Sequence, residues 1–112
     1  MKIENMQAQL RKGVLEMCIL SLLDGEAMYT SDIIERLRHA RLVVVEGTLY
    51  PLLTRLKNAG YLDYFWMESN AGPPRKYFRI TPEGRIFLEG LRASWTEINE
   101  AVSLTTQHQT HT

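Results

Sequence analysis

The feature that most constrains the fold is a turn-forming cluster, residues 69–74, within a chain that is otherwise mostly helical in pattern. The cluster reads Ser-Asn-Ala-Gly-Pro-Pro, and all of these residue types except alanine are typical of turns. Strand-forming aromatic and aliphatic residues precede it at 61–68, and a basic segment with strand formers follows it at 75–80. This pattern predicts a single β-hairpin with a basic return strand.

Apolar periodicity predicts three helices before the hairpin. The first spans residues 6–23 and is apolar around most of its circumference, so it needs cover on more than one side. A second subunit could supply that cover. The second helix is short, with Thr30 or Ser31 as its N-cap, and it ends near residues 38–41. The aliphatic residues 42–45 favour a brief strand.

The third predicted helix runs from about residues 46–48 to Ala59 and has two chemically different sides. The buried stripe consists of Leu49, Leu52, Leu53 and Leu56. The other side carries short polar, aromatic and basic groups, namely Thr48, Tyr50, Pro51, Thr54, Arg55, Lys57 and Asn58. If Thr48 is the N-cap, Pro51 lies in the first turn and costs no hydrogen bond; an earlier start predicts a kink at Pro51.

The last predicted helix begins at Thr81-Pro82-Glu83, which combines an N-cap hydroxyl, a proline at N1 and an acid in the first turn. Apolar residues then recur at spacings of 3 and 4, as in a coiled-coil seam: Leu88, Leu91, Trp95, Ile98 and Val102. We interpret the seam as a dimer interface, with an internal core-facing stripe as the alternative. The predicted organisation is a domain at residues 1–80, a dimerisation helix at 81–104 and a polar flexible tail at 105–112.

Charge is unevenly distributed although the whole chain has a net charge of zero. Residues 36–79 hold eight basic and three acidic residues, a net charge of +5, whereas residues 1–35 carry −3 and residues 80–112 carry −2. The basic middle segment is the only electrostatic indication of an anionic partner.

Several classes of protein are excluded by what the sequence contains. One cysteine, Cys18, permits no intrachain disulfide and no cysteine-rich zinc finger. No segment has the pattern of a signal peptide or of a membrane span, which predicts a soluble, cytoplasmic protein without a membrane partner. Neither a phosphate-binding glycine loop nor a nucleophile with its base is recognisable, so we expect no enzyme, no cofactor and no metal. His108 and His111 lack further metal ligands nearby.

The predicted order of three helices, a two-stranded hairpin and a final helix is that of a winged helix. The fold class is therefore α+β, mainly α: a winged helix-turn-helix with a β-hairpin wing and a C-terminal dimerisation helix. The third helix could lie in a major groove while its leucines remain in the core. A wing tip stiffened by prolines and carrying two cations could approach phosphates or a minor groove.

Three segments resemble PadR-family transcriptional regulators. Residues 46–56, EGTLYPLLTRL, followed by NAGYL at 58–62, are similar to the family's recognition helix. Residues 72–84, GPPRKYFRITPEG, resemble its wing and the start of its last helix, and residues 29–34 match its second helix, with Thr30 where glycine is common. The resemblance covers nearly all of residues 10–102.

The resemblance implies membership of a subfamily with a single C-terminal helix, whose members are homodimers held by their first and last helices. Some of its members bind flat aromatic compounds between paired tryptophans, and Trp95 lies at the matching position. Trp95 could pack the interface, stack on a ligand or do both. The predicted partners are therefore double-stranded DNA, a second copy of the chain and a small aromatic effector.

The predicted DNA-binding residues come from three segments. They are Tyr29, Ser31, Thr48, Tyr50, Pro51, Arg55, Pro73, Arg75 and Lys76. Arg55 could pair with a guanine or bind a phosphate, and Tyr50 could donate to a phosphate or pack against the second helix. Ser31 could bind phosphate at a helix N-terminus or serve only as a cap. Arg75 and Lys76 could alternatively belong to a solvated hairpin.

Together with the resemblance, these observations predict a homodimeric DNA-binding repressor on a pseudo-palindromic operator, which an aromatic effector could release. The alternative is a winged-helix module that binds proteins and not specific DNA.

Overall fold

The computed structural model describes residues 1–107, which form four helices and three strands. The elements in chain order are α1 (Ile3–Gly25), β1 (Met28–Tyr29), α2 (Thr30–His39), α3 (Glu46–Asn58), β2 (Leu62–Ser69), β3 (Gly72–Ile80) and α4 (Pro82–Thr106). This order confirms the mainly helical winged-helix fold. Within these residues, no helix is both long enough and apolar enough to cross a membrane.

Helix α1 extends beyond the predicted range of 6–23 at both ends. Its C-terminal half packs into the core through Leu15, Ile19, Leu20 and Leu23. Its N-terminal half leaves Ile3, Met6 and Leu10 exposed in the single chain. The cover that its apolar circumference requires is therefore present over only half of the helix.

The N-cap of helix α2 is Tyr29, one position before the predicted caps, and the helix begins at Thr30. The Asp32 carboxylate accepts a hydrogen bond from the Tyr29 backbone N–H at 3.2 Å, which secures this start. Thr30 and Ser31 already lie within the helix, and Thr30 is buried. Capping by Thr30 or Ser31 was therefore a wrong prediction, because both residues lie inside the helix and Tyr29 is the N-cap.

The sheet has the order β1–β3–β2, and both pairings are antiparallel. β2 and β3 form the predicted hairpin, which we call the wing (residues 62–80). The third strand is β1, which pairs Met28 with Phe78 and Tyr29 with Tyr77. The strand predicted at residues 42–45 is absent from the described residues. That segment joins α2 to α3 and forms no bridge to another strand, whereas residues 28–29 pair with the edge of β3.

Helix α3 begins at Glu46 with Val45 as its N-cap, so Pro51 lies inside the helix. This is the earlier start of the two alternatives. Proline has no backbone N–H, so the Gly47 carbonyl loses its partner four residues on. The four predicted leucines, Leu49, Leu52, Leu53 and Leu56, are all buried.

Helix α4 begins as predicted. Thr81 is the N-cap, and its Oγ1 accepts a hydrogen bond from the Gly84 backbone N–H at 3.0 Å. The helix continues through Thr106, so the segment predicted as a flexible tail starts in helix. His108 and His111 lie outside the described residues.

The α4 seam changes character along the helix. Leu88 is only 1% exposed and packs into the core of its own chain, so its assignment to a dimer interface was wrong. Leu91 is partly buried against the same core. Trp95, Ile98 and Val102 are exposed, as the helix projects from a molecule measuring 66 × 31 × 21 Å.

Candidate nucleic-acid interface

The outward side of α3 is the side opposite its leucines, which recur mostly every third or fourth residue and pack into the core. The remaining positions are consequently exposed, including Thr48, Tyr50, Pro51 and Arg55. All four predicted α3 residues are thus accessible. They do not share one environment, because they lie on different flanks of the helix.

The flank of α3 that faces α1 contains an ion pair. Arg55 Nη2 contacts Glu16 Oε1, across 39 positions of sequence. A groove of about 570 Å³ lies beside this pair, and Thr48 and Pro51 line it together with residues of α1 and the α2–α3 connection. The Arg55 charge is therefore already compensated in the single chain.

The wing has two sides, because successive side chains of a strand point in opposite directions. The helix side carries Leu62, Tyr64 and Trp66 from β2, which lie opposite Ile80, Phe78 and Lys76 of β3. The outer side carries Phe65 and Met67, which lie opposite Tyr77 and Arg75. The predicted neighbours Arg75 and Lys76 consequently point to different sides.

On the outer side, Arg75 lies over the Tyr29 ring, with its guanidinium carbon 5.1 Å from the ring centroid. The Tyr29 and Tyr77 rings are 6.0 Å apart, between paired residues of β1 and β3. This brings two predicted residues, Tyr29 and Arg75, together at the start of α2, where Ser31 is also exposed. Arg75 is the group at this place that suits a phosphate, whereas the Asp32 carboxylate already accepts from one backbone N–H of the helix start.

On the helix side, two lysines converge on one aromatic ring. Lys76 Nζ lies 4.0 Å from the Tyr64 ring centroid, and Lys57 Nζ from α3 lies 5.4 Å from it. Trp66, directly opposite Lys76, is 62% exposed. The predicted site included Lys76 but omitted Lys57, Tyr64 and Trp66. Strand alternation was the signal that could have placed Tyr64 and Trp66 beside Lys76.

Ion pairing divides the basic middle segment into compensated and uncompensated cations. Arg36, Arg38, Arg55 and Arg79 each contact a carboxylate. Within residues 1–107, the cations of this segment without such a partner are Arg41, Lys57, Arg75 and Lys76. Three of them lie on or beside the wing. Among residues 36–79, the uncompensated positive charge is therefore concentrated there, where Pro73 is also exposed at the tip.

The Trp95 ring borders a depression of about 350 Å³ between α1, α2 and α4. Its lining is mainly apolar and includes Met17, Cys18 and Leu37. Burial raises the pKa of the Cys18 thiol, which disfavours the reactive thiolate near neutral pH. Among the described residues, no three metal-ligating side chains cluster together.

Residues 19–90 match the family model described as the transcriptional regulator PadR-like family. This match covers more than half of the chain and includes α2, α3 and the wing. The chain belongs to the PadR-like family.

Solved structures of PadR-like proteins are similar to this chain along most of its length. A PadR-like transcription factor from Bacteroides fragilis is 58% identical, with a TM-score of 0.76, and the match covers 91% of this chain and 99% of that one. A PadR family regulator from Eggerthella lenta is 32% identical, with a TM-score of 0.86 and coverages of 97% and 94%. One from Bacillus cereus is 34% identical, with a TM-score of 0.79 and coverages of 90% and 99%.

Membership of the PadR-like family makes the chain a DNA-binding transcriptional regulator and not an enzyme, as predicted. The exposed side of α3 and the uncompensated cations of the wing are the parts of this PadR-like chain whose chemistry suits that function.

Proposed function

We propose that this PadR-like protein is a homodimeric repressor that binds a pseudo-palindromic operator. The observation that carries the proposal is the exposed apolar seam of α4. Trp95, Ile98 and Val102 are 45%, 56% and 51% exposed in the single chain. Exposed apolar residues aligned along one helix are typical of an interface.

A second exposed apolar surface supports the same arrangement. Ile3, Met6 and Leu10 of α1 are also exposed, and α1 packs against α4 within the chain. An isologous dimer would cover both surfaces at once, because each chain offers the same patch to the other. The cations on the wing would remain outside that interface.

The dimer is tested by sedimentation equilibrium of the wild type and of an Ile98→Asp, Val102→Asp variant. We expect twice the chain mass for the wild type at micromolar concentration and a monomer for the variant. Glu97→Gln, on the same helix, is the matched control and should remain dimeric. A monomeric wild type, or an unchanged double variant, would contradict the proposal.

On DNA, the two copies of α3 would enter major grooves about one helical turn, roughly 34 Å, apart. Tyr50, Pro51 and Thr48 are exposed on α3 for base-edge or backbone contacts. Arg75 and Lys76 would bind phosphates from the two sides of the wing. Tyr29 and Ser31 would contribute at the start of α2. Repression would follow if the bound dimer excluded the transcription machinery from the promoter.

The DNA contacts are tested by fluorescence anisotropy with DNA from upstream of the protein's own gene, at several salt concentrations. Arg75→Ala with Lys76→Ala should weaken binding and reduce the log–log salt slope by about 2 per chain, since each phosphate contact contributes about 0.9. Arg85→Ala, which removes an arginine that pairs with Asp24, is the control. An unchanged slope in the double variant would refute the wing assignment.

The depression beside Trp95 favours a regulatory extension, in which a flat aromatic effector releases the DNA. The effector would act only if it bound one arrangement of the two subunits better than the other. Fused-ring aromatic compounds can be screened for release in the same anisotropy assay. Trp95→Ala should abolish the response of any active compound. A full response in this variant would reject Trp95 as a ligand contact.

The same titration separates the repressor from a winged-helix module that binds only proteins. The module predicts no salt-dependent DNA binding. The uncompensated wing cations favour the repressor.

A further inference from the structure

The helix side of the wing continues outward from the hydrophobic core. Leu62, Phe78 and Ile80 are buried at its base. Further along the same side, Tyr64 and then Trp66 become exposed, because the hairpin extends past the helices that cover its base. The result is an aromatic surface next to α3 that the core does not use.

Two positive charges border this aromatic surface. Lys76 comes from β3 and Lys57 from α3, and both ammonium groups lie over the Tyr64 ring. Neither lysine forms an ion pair with a carboxylate within residues 1–107. Both charges lie against one ring and have no carboxylate partner, so an anionic partner would gain from contact with both.

The exposed ring of Trp66 indicates which anionic partner suits this surface. Trp66 is 62% exposed and stands opposite Lys76, so a ligand that binds the lysine also meets the indole ring. A DNA backbone alternates a group for the lysine with a group for the indole. Its phosphates are anionic, and its deoxyribose rings present C–H faces. A large flat ring gains contact area at a small entropic cost when it lies against such a face.

We propose that Trp66 and Tyr64 contact the deoxyribose groups of one DNA strand, while Lys57 and Lys76 bind the flanking phosphates. This inference rests on the proposed DNA binding and adds a non-electrostatic contact to it. The contact is to the backbone, so it is independent of base sequence. It also joins α3 to the wing in one continuous surface along the strand.

The test compares Trp66→Ala with Met67→Ala in DNA titrations over a range of salt concentrations. Met67 is the adjacent wing residue, is 47% exposed and points to the outer side, so it controls for loss of an exposed apolar side chain. The probes are the upstream DNA and a random duplex, each of about 30 base pairs, which spans two half-sites. Thermal unfolding of both variants checks that the fold is intact.

We expect Trp66→Ala to weaken binding to both duplexes about tenfold, comparable to loss of an aromatic contact to single-stranded nucleic acid. The log–log salt slope should stay unchanged, because no phosphate contact is removed. Trp66→Phe should keep most of the affinity. Met67→Ala should behave like the wild type.

Tryptophan fluorescence provides a second measurement. DNA should change the emission of the wild type, and the change should be absent in Trp66→Phe. Wild-type affinity in Trp66→Ala together with unchanged wild-type emission would overturn this inference alone. A wild type that binds neither duplex would overturn the proposed function as well.

Discussion

The two flanks of helix α3 differ in what their cations contact. On the flank towards the wing, Lys57 lies over the Tyr64 ring and has no carboxylate partner among residues 1–107. On the flank towards α1, Arg55 is bound to Glu16. An aromatic ring attracts a cation without cancelling its charge, whereas a carboxylate cancels it. Lys57 can therefore bind a phosphate directly, whereas Arg55 must first break its ion pair with Glu16.

The two flanks also differ in how firmly they are attached to the rest of the molecule. The turn that leads from α3 into the wing is fastened to α4, since Thr81 donates from its backbone to Tyr61 O at 3.0 Å and from Oγ1 to Gly60 O at 2.6 Å. The Tyr61 and Phe87 rings stack with centroids 4.1 Å apart. The α1 flank has an exposed ion pair beside an open groove. The wing flank is thus attached to α4 by two hydrogen bonds and a ring stack.

The largest expected effect concerns the contact between α4 and the turn that leads from α3 into the wing. A Cβ at Gly84 would lie 2.1 Å from Tyr61 O and 2.8 Å from Ile80 Cγ1, so Gly84→Ala must push α4 away from the start of the wing. We expect a loss of about 3 kcal/mol in the free energy of unfolding, measured by urea denaturation. Gly90→Ala is the control, because its Cβ would meet no atom within 4 Å. It should raise stability by up to about 1 kcal/mol. Equal stabilities for both variants would contradict the close approach.

The next largest effect is expected from a direct comparison of Lys57 and Arg55, the two cations of α3. Lys57→Ala should weaken DNA binding several-fold and reduce the log–log salt slope by about 0.9, because it removes one uncompensated charge. Arg55→Ala should change the slope much less, since the Arg55 charge is already balanced by Glu16. Both variants are measured by anisotropy on the same duplex. A larger slope change for Arg55→Ala would mean that the ion pair opens and Arg55 contacts DNA.

Sequence periodicity predicted the parts of α3 that depend on neighbours along the chain. The leucine spacing placed Leu49, Leu52, Leu53 and Leu56 in the core, and all four are buried. The Thr81 cap was equally readable, because its hydrogen bond to the Gly84 N–H spans three residues. Local patterns suffice where the interaction is local.

Features that depend on distant partners could not be predicted in this way. The pairing of Arg55 with Glu16 joins residues 39 positions apart, so the sequence presented Arg55 as a free cation. Residues 42–45 have high strand propensity but no strand partner, while Met28 and Tyr29 form a strand because β3 lies beside them. Propensity decides a short strand only where a partner edge is available.

The smallest expected effect tests whether the α1 flank restrains Arg55. Glu16→Gln removes the compensating charge and leaves Arg55 in place, so DNA affinity should rise a few-fold and the log–log salt slope should steepen by up to about 0.9. Glu26→Gln is the matched control, because it also removes the carboxylate partner of an arginine, Arg36 on α2. Stability should change by less than about 1 kcal/mol, since Arg55 is largely exposed.

A double variant, Glu16→Gln with Arg55→Ala, completes this cycle. If Glu16 acts on DNA binding only by holding Arg55, the double variant should match Arg55→Ala alone. If Glu16→Gln raises affinity equally with and without Arg55, the carboxylate repels DNA directly and the restraint is excluded. The cycle therefore decides whether α1, a helix with exposed apolar residues suited to a partner, can tune the charge that α3 presents to DNA.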